Sequence, residues 1–137
     1  MSVQKKSLVP IQGRTVQPAL LGGISFARYA FRKDSDALFG RSCDFLGDGS
    51  VMIYYIPTHS AGSVLILVHD GEDYAVFTGD NSYNRQSWEN LNLPGPVYDK
   101  GNMRKVLQWI QDMSKDPHCK GIFCAHDPEV KKDVLIF

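Results

Sequence analysis

Ser63-Val-Leu-Ile-Leu-Val-His69-Asp-Gly-Glu-Asp73-Tyr-Ala-Val-Phe-Thr78-Gly-Asp80 decides the fold. Two runs rich in β-branched and aromatic residues flank Asp70-Gly-Glu-Asp73, and glycine supplies the positive φ that a tight hairpin turn needs. The near-continuous apolar character of 63–69 and 73–78 predicts strands covered on both faces. On the N-terminal side, Val51–Ile56 is a third β-rich run. Cys43-Asp-Phe-Leu46 and Gly47-Asp-Gly-Ser50 before it read as strand, tight turn, strand. On the C-terminal side, residues 79–99 form a long connection holding Asn81, Asn84, Pro94, Gly95 and Pro96. Structureless connections of that length are uncommon and often functional. Met103, Val106, Leu107, Ile110 and Met113 then recur at helical spacing, which predicts a helix over Asn102–Lys115. Gly121-Ile-Phe-Cys-Ala125 reads as a short buried strand ending at His126-Asp-Pro-Glu129, and Val134–Phe137 as a last one. Strands followed by helix, strand and loop indicate an α/β fold, a mixed β-sheet with helical cover.

Ahead of the sheet, Ser2–Ile11 reads as a short strand or arm whose pairing Pro10 limits. Pro18 suits a first helical position, and Ala19–Arg32 reads as a helix with an aromatic face at Phe26, Tyr29 and Phe31, although Gly22 and Gly23 weaken it. The expected organisation is a single domain, with a linker and helical segment over 1–42 and the sheet and its site loops over 43–137.

Composition narrows the function classes. The 137 residues are 43% apolar and 22% charged, the profile of a soluble globular domain. Lys plus Arg and Asp plus Glu both number 15, giving no net charge. No basic stretch tracks a phosphate backbone, which argues against nucleic acid. Three cysteines, Cys43, Cys119 and Cys124, include no Cys-x-x-Cys pair. They read as buried free thiols in a reducing cytoplasm, neither a disulfide framework nor a zinc ribbon. The N-terminus lacks the apolar core of a signal peptide, and the longest apolar run, Val64–Val68, is far too short to cross a bilayer.

Chemistry concentrates at three strand ends: Pro57-Thr-His59-Ser-Ala-Gly-Ser63, Phe77-Thr-Gly-Asp80-Asn-Ser-Tyr83 and Phe123-Cys-Ala-His126-Asp-Pro-Glu129. Side chains from several strands converge beyond their carboxyl ends. Two imidazoles and a carboxylate suit zinc or another borderline metal, and Gly62 and Gly79 let the backbone turn tightly beside them. Taken singly, each has an ordinary explanation: a hydrogen-bonded histidine, a turn aspartate, a loop start. Their joint occurrence in this order raises the functional reading.

In these segments the sequence resembles the metallo-β-lactamase superfamily. Thr58-His59-Ser-Ala-Gly-Ser63 is similar to that family's Gly-His-Thr-Pro-Gly-Ser loop, Thr78-Gly-Asp80 to its Thr-Gly-Asp strand end, and Ala125-His126-Asp127 to its Gly-His-Asp ending. Tyr83, Pro94-Gly-Pro-Val-Tyr98-Asp, His126-Asp-Pro-Glu129 and the Gly47-Asp-Gly-Ser50 hairpin resemble the N-acyl homoserine lactonase-like branch, as does Val3-Gln-Lys-Lys-Ser-Leu8. The resemblance covers nearly the whole chain and implies the C-terminal half of an αββα sandwich. It also implies a metal-dependent hydrolase of lactones or esters that uses a metal-activated hydroxide. Two zinc ions are expected in the complete family site, with His59 on one, His126 on the other and Asp80 bridging. Tyr83 is the implied oxyanion stabiliser, and Phe26, Tyr29 and Phe31 are candidates for an acyl pocket.

Two departures qualify the implied activity. The loop at 58–62 lacks a Gly and a Pro of the family pattern, which predicts a softer loop. The family's N-terminal His-x-His-x-Asp-His cluster has no counterpart, since the four histidines are His59, His69, His118 and His126. Weak metal binding and negligible hydrolysis by this chain alone are therefore expected, with a homodimer or a missing N-terminal half completing it. The alternative is a non-catalytic truncated homologue that acts as a binding or self-associating module. His69 is expected exposed in the hairpin turn, His118 in a polar loop, Trp109 in the core or an interface, and Trp88 lining a pocket or covering the sheet.

Overall fold

The computed structural model describes residues 14–18 and 25–131, with side chains from residue 29 onward. It divides into two units, residues 1–30 and 31–137. In the first, β1 (Arg14–Pro18) pairs antiparallel with β2 (Ser25–Tyr29), Val16 opposite Ala27. This corrects the helix expected over Ala19–Arg32: its second half is extended. Aromatic residues favour a pleated strand, and the glycine pair penalises a helix. The arm at 2–11, the first part of that run and the strand expected over 134–137 lie outside the described residues.

The second unit is a six-stranded sheet: β3 (Arg32–Lys33), β4 (Arg41–Asp44), β5 (Val51–Tyr55), β6 (Val64–Asp70), β7 (Asp73–Gly79) and β8 (Cys119–Cys124), in sequence order. All neighbours are antiparallel except β7 and β8, which run parallel. A parallel pair needs a crossover, and here it carries α1 (Arg85–Glu89) and α2 (Lys100–Met113). The fold is thus the mixed, α/β sheet expected, and the connection at 79–99 contains a short helix capped by Asn84, whose Oδ1 accepts from the Ser87 N–H at 3.0 Å.

The β6–β7 hairpin closes through Gly71 at φ +60° between the paired Asp70 and Asp73. At the β4–β5 turn the Asp44 carboxylate accepts from the N–H groups of Gly47 and Gly49 at 2.9 and 3.0 Å. His69 lies within β6 and not in the turn; it sits opposite Tyr74, ring centroids 5.5 Å apart, and is half-buried.

The main hydrophobic cluster lies on one side of the sheet. The predicted helical stripe Met103, Val106, Leu107, Ile110 and Met113 is buried with Leu65, Leu67, Tyr74, Val76 and Trp88. Tyr54 meets Trp109 edge-on at 5.5 Å. The other face carries a row of cross-strand partners, Ile53, Ile66, Phe77 and Phe123. Phe77 there is 39% exposed and stacks on Phe123 at 5.2 Å. Cover on both faces therefore does not hold at Phe77, because α1 and α2 both pack into the opposite side. The cysteines are free, Cys43 and Cys124 buried and Cys119 half-buried, and burial pushes each thiol above its ordinary pKa. Among the described residues no helix is long and apolar enough to cross a membrane.

Candidate metal-ligand rim

Three loops meet beyond the carboxyl ends of β5, β7 and β8. After β7 the chain turns through Gly79 at φ +54°, a left-handed conformation that glycine adopts freely. Asp80 follows, and its side chain is 48% exposed at the rim. Thr78 is fully buried beneath it and donates through Oγ1 to the Ser82 carbonyl at 3.0 Å.

The loop after β8 brings in His126. Its Nε2 lies 2.9 Å from Asp80 Oδ1. A carboxylate only accepts, so the imidazole carries the proton on Nε2. The His126 N–H donates to the Tyr83 carbonyl at 2.9 Å, and the Asp127 carboxylate accepts from the Arg85 N–H at 2.9 Å. The start of α1 therefore anchors this loop.

The loop after β5 brings in His59. Its Nε2 lies 4.0 Å from Asp80 Oδ2, and its Nδ1 is buried without a hydrogen-bond partner among the described residues. The loop predicted to be soft is cross-braced. Ser60 N donates to Ser63 Oγ at 2.9 Å, Tyr55 Oη donates to the Ala61 carbonyl at 3.1 Å, and the His59 carbonyl accepts from the Tyr98 N–H at 3.3 Å. Thr58 and Asn81 join the rim from below, fully buried and hydrogen-bonded to each other at 3.1 Å. Both stand in the motifs quoted from the sequence, and their burial and mutual bond become visible only once the loops are folded.

Tyr83 stands between the imidazoles, its ring edge-on to His59 at 5.8 Å and to His126 at 4.8 Å. Its hydroxyl lies beside Gly95, 3.9 Å from where a side chain there would begin. The structure thus gathers His59, Asp80, His126 and Tyr83 on one rim. It does not bring His69 or His118 there. His118 is exposed beside β7's other end, with Nδ1 3.0 Å from Asp73 and Nε2 3.9 Å from Glu72. Of the aromatic trio, Phe31 packs on Tyr55 at 5.5 Å, while the Phe26 side chain lies outside the described residues.

Among the described residues no group of three or more His, Cys, Asp or Glu is arranged to hold one metal ion. The donors form two pairs that share a carboxylate, one oxygen toward each imidazole. Metal–ligand distances of about 2.0–2.2 Å let one ion span either separation. The set offers at most two ligands to each of two ions, and it does not fit a complete centre, since a catalytic zinc takes about three protein ligands.

No protein-family model matches the chain, and no curated protein matches it by sequence. Two solved structures are similar, one described as a quorum-quenching N-acyl homoserine lactone lactonase and one as a quorum-quenching N-acyl homoserine lactone hydrolase. Each aligns with a TM-score of 0.51 at 24% identity, over 64% of this chain and 36% of the other. The chain spans about a third of the length of these structures. The likeness is one of fold: the described sheet and helices have the arrangement of part of a metallo-β-lactamase-type lactonase.

Proposed function

We propose that this chain carries one half of the site of a metal-dependent hydrolase that opens lactones or related esters. His59 with Asp80 and His126 with Asp80 are its contributions to two ions, with zinc the expected metal. The observation that supports this is the placing of one carboxylate between two imidazoles, 2.9 and 4.0 Å away, by loops from three different strands. Similarity to lactonases over part of the chain supports the substrate class. A metal bound at the rim would supply a hydroxide nucleophile at neutral pH. The chain's own residues do the rest: the His126 N–H bond to the Tyr83 carbonyl and the Asp127 bond to the Arg85 N–H hold the His126 loop, and the Tyr83 hydroxyl donates to the oxygen of the attacked carbonyl. Among the described residues the donor count is at most two per ion, and a complete centre needs further ligands. Free thiols fit a reducing cytoplasm.

The test is metal analysis and lactone hydrolysis on the purified chain and on His59→Ala. Zinc binding weaker than micromolar, lost on substitution, with negligible hydrolysis, is expected. Lactone turnover that survives His59→Ala contradicts the assignment.

A second reading rests on the sheet face that carries Phe77, which is 39% exposed. The row Ile53, Ile66, Phe77 and Phe123 is the kind of apolar surface that a second sheet covers at about 10 Å, and it favours a homodimer built face to face. A concentration-independent monomer mass in sedimentation excludes it.

A further inference from the structure

We infer that Asn81 and Thr58 are a buried bracket that positions His59 against Asp80. This rests on the proposed joint role of those two residues. Thr58 precedes His59 and Asn81 follows Asp80, so a bond between the inner pair fixes the backbone of the outer pair. The Thr58 hydroxyl donates to Asn81 Oδ1 at 3.1 Å, and both residues are 0% exposed. The Asn81 amide nitrogen donates to the carbonyls of Val64 at 2.8 Å and Thr78 at 3.0 Å. Those carbonyls only accept, so the amide oxygen must face Thr58. Asn81 is thereby tied to β6, to the end of β7 and to the His59 loop at once.

The other side of the loop is held by the start of α2. The Thr58 carbonyl accepts from the Asp99 N–H at 3.0 Å, and Thr58 Oγ1 lies 3.6 Å from Met103 Sδ. A buried amide is costly unless its groups are paired. This one is paired, and its bonds are directional in a way that an apolar filler would not be. Both side chains are fully buried with their polar atoms bonded within the protein, so both are positioning residues.

The test is nuclear magnetic resonance on the chain with Thr58→Val, Thr58→Ser and Asn81→Ala, alongside zinc titration. In the parent, ring protons of Tyr83 show Overhauser contacts to both His59 and His126. Thr58→Val and Asn81→Ala lose the His59–Tyr83 contact and keep the His126–Tyr83 contact, and Thr58→Ser keeps both. Zinc dissociation constants rise about 10- to 100-fold in Thr58→Val, the usual effect of losing a residue that orients a ligand, and stay at the parental value in Thr58→Ser. If Asn81→Ala fails to fold, the two Thr58 variants decide the matter alone. Retention of both ring contacts in Thr58→Val overturns the bracket, and so does loss of both together, which is general loosening. Failure of the parent to bind zinc would end the metal reading and leave the bracket to be judged on the ring contacts.

Discussion

The two ends of β7 carry the same pair of residue types at nearly the same distance. At its start, His118 lies 3.0 Å from Asp73; beyond its end, His126 lies 2.9 Å from Asp80. The surroundings differ. Asp73 also meets Lys120 at 3.2 Å, and His118 faces the largely exposed Glu72. The His118 ring and Lys120 satisfy that carboxylate, and its pKa is held below the ordinary value, first by the hydrogen bond from His118 and then by Lys120. Asp80 has no ion pair with Lys or Arg among the described residues; a second imidazole faces its free oxygen, and a buried Asn81–Thr58 bond lies beneath it. Proximity of His to Asp therefore does not by itself mark a site. The proposed site differs in having two imidazoles on one carboxylate that no Lys or Arg pairs among the described residues, above the buried Asn81–Thr58 bond.

The largest expected effect removes both ends together. Leu107→Ala empties a fully buried position in the core and costs about 2–5 kcal/mol, so chemical denaturation should show one cooperative loss of Tyr and Trp signals. The next effect separates the ends. Asp80→Asn takes zinc binding below detection in calorimetry, while Asp73→Asn leaves it unchanged. Smaller is the loss from Asp99→Ala, which removes the α2 N-cap that accepts from Asn102 N at 3.0 Å and weakens the segment holding the Thr58 carbonyl. Tm falls by a few degrees and zinc binding weakens with it. Smallest is His118→Ala, where exposed charge pairs contribute little, and Tm should not move measurably.

Acid adds a slope across both ends. Asp99, Asp73 and Asp116 all have carboxyls held below the ordinary value of 3.8. The leading causes are the Asn102 N–H, the His118 side chain and the His118 N–H respectively. A lowered folded pKa gives stability that is present above the unfolded value and disappears as pH falls through the folded one. Thermal melts should thus be flat from neutrality to about pH 5 and decline below pH 4. Asp99→Ala makes the decline shallower.

Much of this was readable from the chain. The strands from Val51 to Gly79 and the helix stripe from Met103 to Met113 follow from periodicity and from glycine at the turn. The meeting of His59, Asp80 and His126 followed from their places after strands. What was not readable has physical causes. The run Ala19–Arg32 held aromatic residues at helix-compatible spacing, and strand pairing with Arg14–Pro18 decided otherwise. The five-residue α1 is too short to show an apolar stripe and is announced only by its Asn84 cap. The exposure of Phe77 depends on where the helices go, which no strand pattern records. Thr58 and Asn81 lie 23 positions apart, and a polar contact across such a gap leaves no periodic trace.

The most direct measurement is a zinc titration followed on the imidazole nitrogens of all four histidines by nitrogen-15 resonance. His59 and His126 are predicted to shift together at the same zinc concentration, with His69 and His118 unmoved. A titration in which His118 responds first, or in which His59 and His126 stay silent, would contradict a shared rim built around Asp80.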